Sequence, residues 1–264
     1  MKRVMIAGLL ALFALPVFAQ QNYATPEKAA SAFADALQNH DDGALNAVLG
    51  ENWRQYLPQQ EAEPEAVARF LRDWKVGHQI DQQGDTAHLN VGSSGWQLPI
   101  PMVKTAQGWH FDMAQAQDEI QTREIGRNEL SAIQAMHAYV DAQNDYYQRF
   151  QRYAGKLLSS EGQQDGLYWP TVPGEEPSPL GPAYSPNTPE SGYHGYRFRI
   201  IADQEQQGFA LIAWPVKYAV TGIMSFMIDR NDTVYQANLG ELSASKAAEV
   251  KAFTVDKPWE EIAQ

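Results

Sequence analysis

Reactive chemistry in a chain without cysteine must start from histidine, serine and the carboxylates. The six histidines are His40, His78, His88, His110, His137 and His194. No two of them have the H-E-x-x-H or a comparable helical spacing that sets two imidazoles on one metal. His78 and His88 flank a turn and can approach across a hairpin, but two surface residues brought near by chance is the more economical reading. No metal site is expected. The lack of cysteine also removes disulfides, thiolate ligands, a cysteine nucleophile and a lipidated anchor. A hydrolase needs a nucleophile and a base oriented by a third group. There is no G-x-S-x-G elbow, and Ser159, Ser160 and Ser225 have no context that marks them as activated. His194, in Tyr193-His194-Gly195-Tyr196, is the best single general-base candidate, with Asp165 as its carboxylate. The plainer reading has its ring pinning a loop beside aromatic neighbours. No catalytic residue is assigned, and no cofactor is implied.

Binding chemistry has more to draw on. Arg127-Asn128-Glu129 stands where a long helix is expected to begin, and a helix N-terminus with an arginine beside it can hold an anion. The favoured reading is structural: Asn128 and Glu129 cap the helix, with Arg127 paired to Asp141 or to another carboxylate that ties the domains together. Asp165, Tyr168, Trp169, Tyr193, Tyr196 and Trp214 form an acid-and-aromatic set expected to converge near one loop, and aromatics at that density make either a recognition surface or a core. Trp214 lies inside an apolar strand and belongs to a core. Tyr168 and Trp169 are the better surface candidates. The candidate binding residues are therefore Arg127, Asp165, Tyr168, Trp169, His194 and Tyr196.

The element that must position most of them is an amphipathic helix starting near Gly126. Leu130, Ile133, Met136, Val140, Tyr147, Phe150, Ala154 and Leu157 recur at three- and four-residue steps, so one stripe faces a core. The stretch ends in the loop Asp165-Gly166-Leu167-Tyr168-Trp169-Pro170. Helical residues 115–122 precede it, with a break expected at Gly126. Beyond it, 171–189 is rich in proline and cannot be regular structure; its aromatic flanks favour an ordered loop laid over a surface. Strands follow at 193–202, 208–214, 222–229 and 234–237, and their tight links imply a four-stranded antiparallel sheet. The helix is the natural cover for its apolar face.

Upstream, Thr25-Pro26-Glu27 reads as a helix start, with Ala29, Ala30, Phe33, Ala36 and Leu37 facing inward. A second short helix carries Leu45, Val48 and Leu49 to Gly50. A third is expected over 64–74, capped by acids at Glu61, Glu63 and Glu65. Strands at 86–91, 96–103 and 108–111 complete this part, and Pro99 and Pro101 confine the middle one to an edge or an irregular stretch. Helices followed by strands lean towards the cone-shaped NTF2-like arrangement, an analogy that does not give function.

Length and charge set the outer bounds. The 264 residues carry a formal charge of −12 with 44% hydrophobic and 11% aromatic residues, which describes a folded protein able to bury real cores. Residues 1–19 read as a secretory signal: Lys2 and Arg3, an apolar run to Val17, then cleavage near Ala19. The apolar run is shorter than the roughly twenty residues a bilayer span needs. Loss of Lys2 and Arg3 takes the charge from −12 to −14, which repels phosphate backbones and argues against nucleic acid. A periplasmic or secreted protein with no membrane span in its mature chain is the expectation.

Several segments carry a family likeness. They are Gly108-Trp109-His110-Phe111-Asp112, Ile125-Gly126-Arg127-Asn128-Glu129-Leu130, Ala138-Tyr139-Val140-Asp141-Ala142-Gln143, Asp165 to Pro170 as written above, Ser178-Pro179-Leu180-Gly181-Pro182, Tyr193-His194-Gly195-Tyr196 and Gly208-Phe209-Ala210-Leu211-Ile212-Ala213-Trp214-Pro215. In this order, and across most of the mature chain, they resemble the DUF2950 family of exported bacterial proteins. The resemblance implies export and no particular reaction. Many members carry an Asp-rich loop like a calcium site after Asp-Ala-Gln; here Asn144-Asp145-Tyr146-Tyr147 follows directly, without D-x-D-x-D-G spacing. The C-terminal half also resembles the globular head of type IV pilins and pseudopilins, though their apolar N-terminal assembly helix has no counterpart.

The reading is an α+β protein: a signal at 1–19, an N-terminal helical and β-hairpin unit over 20–112, and a long helix, proline-rich loop and antiparallel sheet over 113–264. The expected role is non-enzymatic binding or assembly assistance, with a protein of the cell envelope as partner. The alternatives are a hydrolase built on His194 and a small-ligand carrier with a cavity between the 25–50 helices and the strands.

Overall fold

The computed structural model describes residues 20–56, 64–171, 173–181, 192–203 and 208–262, with backbone alone at 202 and 203. The expected signal at 1–19 and the acids Glu61 and Glu63 lie outside these residues. The fold is α+β, built on two antiparallel sheets, and the chain divides into two compact units at Ile120/Gln121.

In the first unit, α1 (Pro26–Gln38) starts where Thr25 accepts a hydrogen bond from the Lys28 N–H and Pro26 occupies the first turn. Asp41 caps α2 (Asp42–Leu49) in the same way, accepting from the Ala44 N–H at 2.9 Å. Then come α3 (Pro64–Val76) and strands β1 (His78–Gln83), β2 (Thr86–Val91), β3 (Trp96–Gln97), β4 (Met102–Thr105) and β5 (Gly108–Phe111). The sheet order is β1-β2-β4-β5, with β3 on β2. Alternation turns Ala87, Leu89 and Val91 of β2 inward with Met102, Trp109 and Phe111. Against them pack Phe33, Leu45, Val48, Leu49 and Trp53. β1 is a strand that sequence reasoning did not foresee, because all its residues but Ile80 are exposed and it shows no apolar alternation. The expected strand at 96–103 is interrupted between β3 and β4, where Pro99 and Pro101 supply no N–H to a ladder.

The long helix α4 (Met113–Phe150) is continuous through Gly126, so the expected break is absent. A glycine inside a helix costs only about 1 kcal/mol relative to alanine, less than neighbouring turns supply. Met113, Ala116 and Ile120 join the first unit's core. The remainder belongs to the second unit.

There α4 covers one face of a sheet formed by β6 (Tyr196–Asp203), β7 (Gly208–Pro215), β8 (Ser225–Ile228), β9 (Val234–Ala237) and β10 (Glu260–Glu261), in the order β10-β9-β8-β7-β6. The fifth strand is a two-residue addition from the C-terminal tail. The buried stripe of α4 is Ala132, Met136, Tyr139, Val140, Ala142 and Tyr146, set against Phe209, Leu211, Ala213, Phe226 and Ile228. Each large side chain buried here contributes about 1.5–3 kcal/mol. Leu130 and Tyr147, expected in the stripe, face solvent at 62% and 42% exposure. On the helix rim, His137 Nδ1 lies 2.6 Å from Asp232 Oδ1 in the β8–β9 turn. The opposite sheet face is also covered: α5 (Ser243–Glu249) sets Ala247 against Ile201, Ala210, Ile212 and Met227, with Trp214, Phe253 and Trp259 alongside. Burial on both faces is why 208–215 reads as an unbroken apolar run.

Candidate functional site

α4 ends at Phe150 because Gln151 takes a left-handed conformation, φ +55°, the position where helices most often carry glycine. The chain then folds back on itself. Gln143, fully buried, donates from Nε2 to the Ala154 carbonyl at 2.9 Å and to Tyr139 Oη at 3.0 Å, while its Oε1 accepts from the Ala154 N–H at 2.9 Å. Leu158 and Tyr168 form a parallel bridge, and the Leu180 N–H donates to the Leu167 carbonyl at 3.0 Å. Leu167, Trp169 and Leu180 are buried in the same core. The described part of the proline-rich stretch, 171 and 173–181, is thus laid over the end of the helix. Val172 and 182–189 lie outside the described residues.

Asp165 secures this loop. Its carboxylate accepts from Lys156 Nζ at 2.6 Å, the Ser160 N–H at 2.7 Å and Ser160 Oγ at 3.0 Å. The Lys156 ammonium, then the Ser160 amide, hold its pKa down to about 2. Lys156 Nζ also lies 2.8 Å from Ser160 Oγ, a spacing a serine–lysine pair would use. Lys156 Nζ is thus shared between that hydroxyl and Asp165 Oδ2.

A pocket of about 420 Å³ opens beside this loop, lined by Arg149, Phe150, Gln164, Trp169, Glu175 and Glu176. Arg149 Nη1 donates to the Pro177 carbonyl at 2.9 Å and sits 3.6 Å from Glu176 Oε2. Phe150 and Trp169 meet edge to face at 6.4 Å. Tyr146 Oη donates to the Gln164 carbonyl at 2.8 Å. Trp169 is only 6% exposed, so it forms a wall of the pocket rather than the exposed recognition side chain expected from sequence. Its Nε1–H is shielded from water and has no hydrogen-bond partner among the described residues. Tyr168 is half-buried.

The other expected site residues lie elsewhere. Arg127, Asn128 and Glu129 are interior to α4, so there is no helix N-terminus at which Arg127 could hold an anion. Asn128 Nδ2 donates to the Thr221 carbonyl at 3.1 Å. The Glu129 carboxylate accepts from the N–H groups of Ile223 and Met224, at 2.9 and 3.0 Å. Arg127 itself is exposed. Tyr196 is fully buried and donates to the Met224 carbonyl at 2.8 Å; burial, reinforced by the Glu129 charge, raises its phenol pKa. Its neighbour His194 is exposed, with φ +45° and its ring edge-on to Tyr193 at 4.4 Å. These residues lock the 217–224 turn to the helix.

The acid-and-aromatic set therefore does not converge. At 1.5 Å per residue, positions 127 and 150 stand about 34 Å apart along α4, and Tyr196 belongs with the first while Asp165, Tyr168 and Trp169 belong with the second. Trp214 packs on the opposite sheet face. No hydrogen bond joins His194 to Asp165 among the described residues, and both carboxylate oxygens of Asp165 are engaged as described. Ser225 is fully buried in β8, and its Oγ has no hydrogen-bond partner among the described residues.

Among the described residues, no group of three or more histidines and carboxylates is placed to hold a metal. His78 and His88 do not face each other: His88 is opposite Asp81 on β1, and His78 stacks on Trp74 at 3.7 Å. In the first unit, a cleft of about 300 Å³ lies among Thr86, His88, Gln97, Pro101, Gln115 and Glu119. Its walls come from β2, the β3–β4 segment and the start of α4, whereas the space between α1, α2 and the sheet holds the core side chains named above. Arg149, Phe150, Gln164, Glu175 and Glu176 were not legible as a site, because their meeting depends on a helix end with no glycine to mark it.

Two antiparallel sheets, each packed against helices, and a polar and aromatic pocket where the long helix stops make this a two-unit α+β protein. The chain belongs to the family described as Protein of unknown function (DUF2950), whose profile matches residues 20–262. No curated protein and no solved structure matches it.

Proposed function

We propose that this is an exported binding or assembly-accessory protein of the cell envelope, and that it engages its partner at the loop-closed end of α4. The observation that carries the reading is the pocket formed by Arg149, Phe150, Gln164, Trp169, Glu175 and Glu176. Its volume falls within the roughly 300–1,000 Å³ usual for ligand sites, and it combines aromatic rings with charges of both signs. Three further features support it. Residues 1–19 have the basic start and short apolar run of a secretory signal. Among the described residues, no helix is long and apolar enough to cross a membrane. The second unit also sets a long helix on one face of an antiparallel sheet, a firm base for a recognition loop at the helix end.

Fractionation should find the protein outside the cytoplasm with a mature N-terminus near Gln20. Pull-down from envelope extracts tests the site: capture should fall when Gln164 or Tyr168 is replaced by alanine. A cytoplasmic protein, or capture undiminished by both changes, contradicts the proposal.

A further inference from the structure

We propose that signal removal makes Gln20 an N-terminal residue whose carboxamide is locked into the first unit, so that the exported protein keeps an open glutamine there instead of the pyroglutamate ring that N-terminal glutamines ordinarily form. This rests on the export reading above, in which residues 1–19 are cleaved off.

The lock is built on backbone carbonyls that need donors. The last carbonyls of a helix have no partner within it, and in α2 two of them are met from residues 20 and 21. Gln20 Nε2 donates to the Val48 carbonyl at 2.9 Å, and the Gln21 N–H donates to the Ala47 carbonyl at 2.7 Å. The second N–H of Gln20 Nε2 goes to the Phe111 carbonyl, at the end of β5, at 2.6 Å. Val48 and Phe111 are buried. Tyr23 and Trp109 exchange backbone hydrogen bonds at 2.7 and 2.8 Å, which fixes the chain next to Gln20. An α-ammonium created there by cleavage stands near the C-terminal, negative end of α2, where a cation is favoured.

Cyclisation of an N-terminal glutamine needs no cofactor. The neutral α-amine attacks Cδ, the Cδ–Nε2 bond breaks, and the proton lost by the amine leaves with Nε2 as ammonia. The side chain must curl until Cδ meets its own α-nitrogen. Held as it is, it reaches instead to two other elements, and both N–H bonds of the leaving nitrogen are engaged. Ring closure therefore requires both hydrogen bonds to break, and it strips the Val48 and Phe111 carbonyls of that donor.

Mass spectrometry of the N-terminal peptide tests this on the exported, processed protein, incubated at neutral pH in buffer and in guanidinium chloride. A synthetic peptide of residues 20–28, run in both solvents, corrects for the denaturant. The expected result is a chain that starts at Gln20 with its carboxamide intact, and loss of ammonia at least about tenfold slower folded than unfolded. Gln20→Glu, which keeps the side-chain length but turns both donors into acceptors facing carbonyls, should lower the denaturation midpoint and so reads the same lock independently. A pyroglutamate N-terminus on the isolated protein, equal rates folded and unfolded, an unchanged midpoint in Gln20→Glu, or a mature chain starting at another residue overturns the inference. If the protein is exported and starts at Gln20 yet has cyclised, only this inference falls; if residues 1–19 stay attached, the export reading falls with it.

Discussion

Tyr196 and Gly222 show how tightly single residues set this structure. A Cβ on Gly222 would collide with Tyr196 Oη, on a ring that is fully buried and tied to Met224. Gly222→Ala should therefore destabilise the protein by about 1–3 kcal/mol or more, read as a lower denaturation midpoint; an unchanged midpoint would contradict the packing. Asp165 makes a prediction in pH. Its carboxyl is depressed from 3.8 to about 2, chiefly by the Lys156 ammonium. The folded state thus binds the proton less readily than the unfolded chain, so the stabilisation is complete above about pH 4 and lost as pH falls towards 2. The protection factor of the Ser160 amide, its exchange relative to the intrinsic rate at each pH, should fall over that window, and Asp165→Asn should show low protection already at neutral pH. A flat profile in the wild type would refute the role given to this carboxylate.

At the scale of the element, α4 separates what sequence can announce from what it hides. Its apolar stripe was legible, because Ile133, Met136 and Val140 keep helical spacing. Its limits were not. Gly126 looked like a break, yet the helix runs through, and no atom outside its own backbone neighbourhood lies within 4 Å of a Cβ placed there. Gly126→Ala should accordingly stabilise the protein by about 0.5–1 kcal/mol; destabilisation would show that the position needs glycine after all. The true stop at Phe150 was concealed, since Gln151 rather than glycine takes the left-handed turn, and the apolar pattern continues through Ala154 and Leu157 into non-helical chain. Gln143 makes that return possible from inside the core. Gln143→Leu should cost about 1–3 kcal/mol by orphaning both backbone groups of Ala154, measured by chemical denaturation, with the loss concentrated in protection of residues 154–168.

For the whole molecule, the α+β class and the C-terminal antiparallel sheet followed from turn chemistry and apolar runs, and family membership from ordered motifs. The candidate site followed only in part. Asp165 and Trp169 were named for the right region but the wrong reasons: one secures the loop through Lys156 and Ser160, and the other is a wall rather than an exposed anchor. Arg149, Glu175 and Glu176 come together only through a fold-back held by hydrogen bonds at irregular spacings, such as Gln143 to Ala154 and Asp165 to Lys156 and Ser160, and irregular spacings leave no periodic trace in the sequence. The measurement that bears most directly on the proposed role is site-specific photo-crosslinking in the envelope fraction, with a photoreactive residue replacing Glu175 at the pocket and, as control, Leu242, which is 63% exposed. A discrete adduct from position 175 and none from 242 is the predicted result. No adduct from 175, or equal adducts from both positions, would contradict recognition at the end of α4.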